Sequence, residues 1–117
     1  MKKKPTDMNT SITQLRRKIL ELCTLEILSR GEVYTSDMLE ELKDAELILA
    51  EGTLYPLLYK FRKANLVHVR SDVTEPGPPK KYYSLTAEGL DYLKKLQGTW
   101  QSLTSSLALI TSKHPAL

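Results

Sequence analysis

Apolar residues Leu54, Leu57, Leu58 and Phe61 recur at i, i+3, i+4 and i+7 within Thr-Leu-Tyr-Pro-Leu-Leu-Tyr-Lys-Phe-Arg-Lys, residues 53–63. That spacing marks one face of a helix. A 3.6-residue period then puts Gly52, Pro56, Tyr59 and Lys63 on the opposite face, with Tyr55, Lys60 and Arg62 flanking. Guanidinium and ammonium groups bind phosphates and guanine edges, and tyrosine hydroxyls bond phosphates, so the outward face has the chemistry of a DNA-reading surface. Tyr55, Tyr59, Arg62 and Lys63 are its leading candidates. An ordinary solvated helix face would carry a similar set of charges, and the pattern alone leaves both readings open.

A second group of cations surrounds the turn Glu75-Pro76-Gly77-Pro78-Pro79: Arg70 before it, Lys80 and Lys81 just after it. Lysines so placed suit phosphates beside a groove, or they protect a sheet edge from pairing with another chain. Of the 17 Lys and Arg residues, 14 fall at or before Lys81 and 3 beyond it, although the net charge is only +3. Lys2, Lys3 and Lys4 form either a backbone-reaching arm or a solubilising tail.

Other chemistry finds no support. Cys23 is the only cysteine and His68 and His114 the only histidines, so neither a disulfide nor zinc-ligand spacing is available. No metal and no cofactor is expected. Cys23, among Leu22, Leu25 and Ile27, reads as a buried, inert thiol. His68 reads as a structural residue of a strand, and Asp37, Glu40 and Glu41 as an acidic helix face without a second catalytic cluster. No phosphate-cradling glycine loop or nucleophile motif is present, and an enzyme is not expected. The basic start is not followed by the apolar run of a secretory signal, and no stretch approaches the roughly 20 apolar residues that span a bilayer. The expected location is the cytoplasm.

These candidates need elements to position them, and 117 residues suffice for one small core. After a basic tail over residues 1–10, Ile12, Leu15, Ile19, Leu22 and Cys23 predict a helix to about Arg30, closed by Gly31. Thr35, Ser36 and Asp37 offer caps for a short second helix carrying Met38, Leu39 and Leu42. Leu47-Ile48-Leu49 reads as a short strand or an extended link. The third helix spans about Gly52 to Ala64, with Pro56 tolerable near its start and Asn65 ending it. Val67, Val69 and Val73 alternate as a strand, the proline-rich turn follows, and Lys80–Leu85 returns as its partner. Thr86 then caps a last helix running to about Ser112, ahead of a tail over residues 113–117.

Three helices followed by a hairpin describe a winged helix-turn-helix over residues 11–86, mainly α with a small β-hairpin, plus a C-terminal helix over residues 87–112. In the last helix Leu93, Leu96, Trp100, Leu103, Leu107 and Ile110 recur at alternating steps of three and four. Such a seam needs an apolar partner, from the first helix or from a second subunit.

Glu51-Gly52-Thr53-Leu54-Tyr55-Pro56-Leu57-Leu58 and Pro78-Pro79-Lys80-Lys81-Tyr82-Tyr83-Ser84-Leu85-Thr86-Ala87-Glu88-Gly89 closely resemble the PadR family of transcriptional regulators. The resemblance covers roughly Leu15 to Ile110, and the single helix after the wing is similar to the short subfamily. It implies a prokaryotic DNA-binding regulator, usually a repressor, that binds a palindromic operator as a homodimer and releases it on sensing a small molecule or stress. It places operator contacts at Thr53, Tyr55, Pro56 and Tyr59, wing contacts at Lys80 and Lys81, and the dimer seam on the last helix. Trp100 matches a tryptophan whose symmetry-related pair can sandwich a planar aromatic effector, as indole faces allow; packing in the dimer core is the other use of that ring. Gly98 would leave room beside it, or is only a weak spot in the helix. The chain departs from the family in two places. Tyr34-Thr35-Ser36 stands where Tyr-Gly-Tyr is frequent, which puts the second aromatic's contact in doubt, and Asn65 replaces a frequent glycine. A winged helix that binds protein instead of DNA is the competing function, since fold alone does not fix function.

Overall fold

The computed structural model describes residues 5–74 and 76–113, so Lys2–Lys4, Glu75 and His114 lie outside the described residues. The elements run α1 (Pro5–Leu28), β1 (Val33–Tyr34), α2 (Thr35–Asp44), a 3₁₀ turn (Glu51–Thr53), α3 (Leu54–Lys63), β2 (Val67–Asp72), β3 (Lys80–Leu85) and α4 (Ala87–Ser112). The fold is mainly helical with a small antiparallel sheet of order β1-β3-β2.

One boundary and one element differ from expectation. α1 starts at Pro5 instead of near Ile12, taking in residues assigned to a tail; proline fits the first helical position, and extending a formed helix costs little. A third strand, β1, pairs Val33 with Tyr83 and Tyr34 with Tyr82. Leu47–Leu49 is irregular: Ile48 is buried while Leu49 is exposed.

The core lies where α1, α2, α3 and the start of α4 converge on the sheet. Leu25, Leu28, Met38, Leu42, Leu54, Leu58, Phe61 and Leu93 are its fully enclosed apolar side chains. In α2 and α3 they match the residues that periodicity marks, whereas α1 buries Leu20, Leu25, Ile27 and Leu28 and leaves the expected Ile12 and Leu15 exposed and Ile19, Leu22 and Cys23 half-buried. Gly31 leaves α1 with φ 126 and Asn65 leaves α3 with φ 59, the left-handed conformation that both residues tolerate. α2 begins behind Tyr34, without a side-chain cap; Thr35 Oγ1 instead donates to the carbonyl of Lys81 at 3.0 Å, joining α2 to the wing.

The junction between wing and α4 is built around one threonine. Thr86 Oγ1 accepts from the Gly89 amide at 2.9 Å and donates to the Asn65 carbonyl at 2.7 Å, while its own amide donates to the Leu66 carbonyl at 3.0 Å. The backbones pass so closely that a Cβ on Gly89 would lie 2.0 Å from the Leu66 oxygen. The Thr-Ala-Glu-Gly sequence therefore fixes the start of α4 against the end of α3.

From there α4 leaves the body, and the molecule measures 62 × 31 × 27 Å. Leu93 is buried and Leu96 half-buried, whereas Trp100, Leu103, Leu107 and Ile110 are exposed. Met8, Ile12 and Leu15 of α1 are exposed as well.

Candidate nucleic-acid interface

α3 turns Leu54, Leu58 and Phe61 into the core and leaves Leu57 half-buried. The remaining residues divide into two stripes. Tyr55, Tyr59, Arg62 and Lys63 lie at i, i+4, i+7 and i+8 and are exposed, Tyr59 by 62%. The Lys63 ammonium sits 5.6 Å from the centre of the Tyr59 ring, a cation–π contact that leaves its charge available. Arg62 and Tyr55 both lie within electrostatic reach of Tyr83 on β3, so this stripe borders the wing. Burial, the larger cause, holds the Tyr83 phenol above its ordinary value, partly offset by the Arg62 charge.

Thr53, Pro56 and Lys60 form the second stripe, facing α1. With Leu57 and with Arg17, Leu20 and Glu21 of α1 they line a groove of about 500 Å³. Lys60, expected as a DNA contact, is engaged here: its ammonium donates to Glu21 Oε1 at 2.6 Å, and Lys18 lies 3.7 Å from the other oxygen of the same carboxylate. Thr53 and Pro56 are exposed at the mouth of the groove.

The wing cations are sorted in the same way. Arg70 is bound side-on by Glu32, with Nε and Nη2 each 2.8 Å from a carboxylate oxygen, and its guanidinium lies 4.5 Å from the centre of the Tyr82 ring. The hydrogen bond from Arg70 holds the Glu32 carboxyl below its ordinary value. Lys80 lies opposite Asp72 in the strand register and 5.5 Å from the Tyr34 ring. The Asp72 carboxyl is lowered chiefly by hydrogen bonds from Thr74. Lys81 pairs in register with Ser71 and is exposed. Among the described residues Arg62, Lys63 and Lys81 thus have no carboxylate partner, while Lys60 and Arg70 present charge already met by a carboxylate.

Neither ion pair was visible in the sequence, since Glu21 and Lys60 lie 39 residues apart and Glu32 and Arg70 lie 38 apart. Among the described residues no cluster of His, Cys, Asp or Glu could hold a metal, and no helix is long and apolar enough to cross a membrane. Cys23 is half-buried, and burial raises its thiol above the ordinary value, which disfavours the reactive thiolate. His68 is exposed on β2.

A helix with a basic, tyrosine-bearing face beside a lysine-bearing wing is the working surface of a winged helix-turn-helix. The PadR-like transcriptional regulator family matches residues 24–95, which holds the end of α1, then β1, α2, α3, the wing and the first turns of α4. The chain belongs to the PadR family. A PadR-like transcription factor from Bacteroides fragilis is 37% identical and superposes with a TM-score of 0.76 over 86% of this chain and 98% of that one. PadR-like regulators from Bacillus cereus (28% identical, TM-score 0.73, 86% and 99% covered) and Eggerthella lenta (26% identical, TM-score 0.78, 93% and 96% covered) have the same fold. No curated protein matches the chain. As a PadR-family member it is a DNA-binding transcriptional regulator and not an enzyme.

Proposed function

We propose that the protein is a cytoplasmic repressor that binds a palindromic operator as a homodimer and leaves it when a small molecule binds. The observation that carries the DNA-reading half is the uncompensated stripe of Tyr55, Tyr59, Arg62 and Lys63 beside the wing. Tyr55, Tyr59, Arg62 and Lys63 enter the major groove; Thr53 and Pro56 meet the backbone at the start of α3. Lys80 and Lys81 contact phosphates from the wing. Lys60 and Arg70 reach DNA only by giving up their carboxylate partners.

The dimer half rests on the outer part of α4. Trp100, Leu103, Leu107 and Ile110 continue the seam begun by Leu93 and Leu96, yet these four stay exposed in one protomer, as do Met8, Ile12 and Leu15. A monomer with so extended an apolar surface is unusual. A second copy, placing its own α4 and α1 against these residues about a two-fold axis, covers them and sets two recognition helices on one side of a palindrome. Trp100, 45% exposed, lies within this seam, where its ring offers a planar aromatic effector a stacking surface.

The test is an electrophoretic mobility shift with the DNA upstream of the protein's own gene, followed by genome-wide operator selection if that DNA is not bound. Tight, sequence-selective binding that weakens steeply with salt is expected. Absence of selective binding in both experiments refutes the regulator reading at this surface.

A further inference from the structure

Glu32 lies in the link between α1 and β1, close to the row of side chains on the outer face of the wing. Arg70 and Tyr34 both pair in register with Tyr82, and Lys80 precedes Tyr82 by two residues on the same strand face. The rings of Tyr34 and Tyr82 are 5.4 Å apart, with Arg70 on one and Lys80 on the other. Tyr34 also stands at the start of α2, the helix whose next residue, Thr35, bonds the wing backbone at Lys81. Arg70 therefore shares a face with Lys80, one of the two wing lysines proposed to meet phosphates, while Lys81, the next residue on β3, belongs to the opposite face.

The carboxylate on Arg70 has the geometry a phosphate would use: two parallel N–H donors on two oxygens, both at 2.8 Å. Both partners are substantially exposed, Arg70 by 52% and Glu32 by 41%. An ion pair this wet is weak, so a DNA phosphate can displace Glu32. Displacement still leaves a negative charge beside the DNA backbone, and a neutralised arginine releases no counterion from the duplex. We infer that Glu32 acts as an internal phosphate mimic, discounting the wing's grip on DNA backbone and so restraining sequence-independent binding. This rests on the DNA-binding reading above and adds a residue outside both family motifs to the interface.

The experiment compares wild type, Glu32→Gln and Glu32→Gln/Arg70→Gln on a random-sequence duplex from 50 to 200 mM salt, with circular dichroism melts to confirm folding. Glu32→Gln is expected to bind several-fold more tightly at low salt, with one more phosphate's worth of salt dependence. Across that range its affinity then falls about three- to four-fold further than wild type. The double variant is expected to lose the gain. Unchanged affinity and slope in Glu32→Gln overturn the inference, as does a gain that persists without Arg70. Weaker binding overturns it too, by making Glu32 a support that aims Arg70. Wild type that binds the random duplex with the same affinity and slope as Glu32→Gln sinks this inference alone, whereas wild type that binds neither this duplex nor any selected operator sinks the regulator reading with it, so the two failures are told apart.

Discussion

Replacing Leu103 with Glu should convert the proposed dimer to monomers. Leu103 is 60% exposed in a single protomer, and complete burial of a leucine side chain contributes about 2.5 kcal/mol, so covering it is worth about 1.5 kcal/mol. A two-fold interface contains it twice, about 3 kcal/mol. Each introduced carboxylate must also give up water without a partner, at about 1–3 kcal/mol or more. Together the change is on the order of 6 kcal/mol, or about four orders of magnitude in the dissociation constant. A nanomolar dimer becomes a monomer at micromolar concentration. Light scattering measures the mass, and mobility shift on a full palindrome should show a parallel loss of affinity. Leu103→Ala, which removes apolar area without adding charge, should weaken association far less. A dimeric mass for Leu103→Glu at micromolar concentration would refute the assignment of this seam.

Gly89→Ala should destabilise the fold by about 2 kcal/mol, because the new methyl meets the Leu66 carbonyl. It disrupts three hydrogen bonds of about 1 kcal/mol each, against about 1 kcal/mol gained in helix propensity; denaturant unfolding at fixed protein concentration would contradict this by showing equal or greater stability. Lys81→Gln should weaken operator binding and lower the magnitude of the salt slope by about one, and an unchanged slope removes Lys81 from the phosphate contacts. The Glu32 carboxyl, lowered chiefly by its hydrogen bond from Arg70, should titrate below the ordinary value of 4.5 and return toward it in Arg70→Gln. Since the folded value is the lower one, the pair's stabilisation is present above the ordinary glutamate range and lost as pH falls through the lowered value. Carbon-detected NMR titration measures the midpoint, and one insensitive to Arg70 would refute the linkage. Planar cationic dyes should quench Trp100 fluorescence, whereas silence across a broad panel leaves packing as the ring's role.

Periodicity made the framework legible. The apolar steps of α2 and α3, the proline-rich wing turn, and the Thr86 cap each follow from local rules that act over a few residues, whereas the steps marked in α1 miss its buried residues Leu20, Leu25, Ile27 and Leu28. The two-residue strand β1 is too short to show a period, and its pairing depends on β3, about fifty residues away. The candidate site was legible as a set of residue types but not as a set of available charges. Lys60 and Arg70 look equivalent to Lys63 and Lys81 in the sequence, and only folding brings Glu21 and Glu32 to the first two. The Leu93–Ile110 seam shows the opposite case. Its spacing declared a need for a partner, and the protomer meets that need at Leu93 and leaves it open from Trp100 outward.

The threonine junction at residue 86 gives α4 the properties of a lever. Its N-cap, Thr86, is bonded to Asn65 and Leu66, immediately after α3, while its 26 residues extend about 39 Å toward the outer seam. A tilt of about 5° at one end displaces the other by about 3 Å over that length, close to the rise of one base pair along a strand. In the proposed dimer, a ligand wedged between two copies would therefore not need to disturb any residue proposed to touch DNA. Changing the angle at which the two arms meet would put both reading heads out of step with the operator.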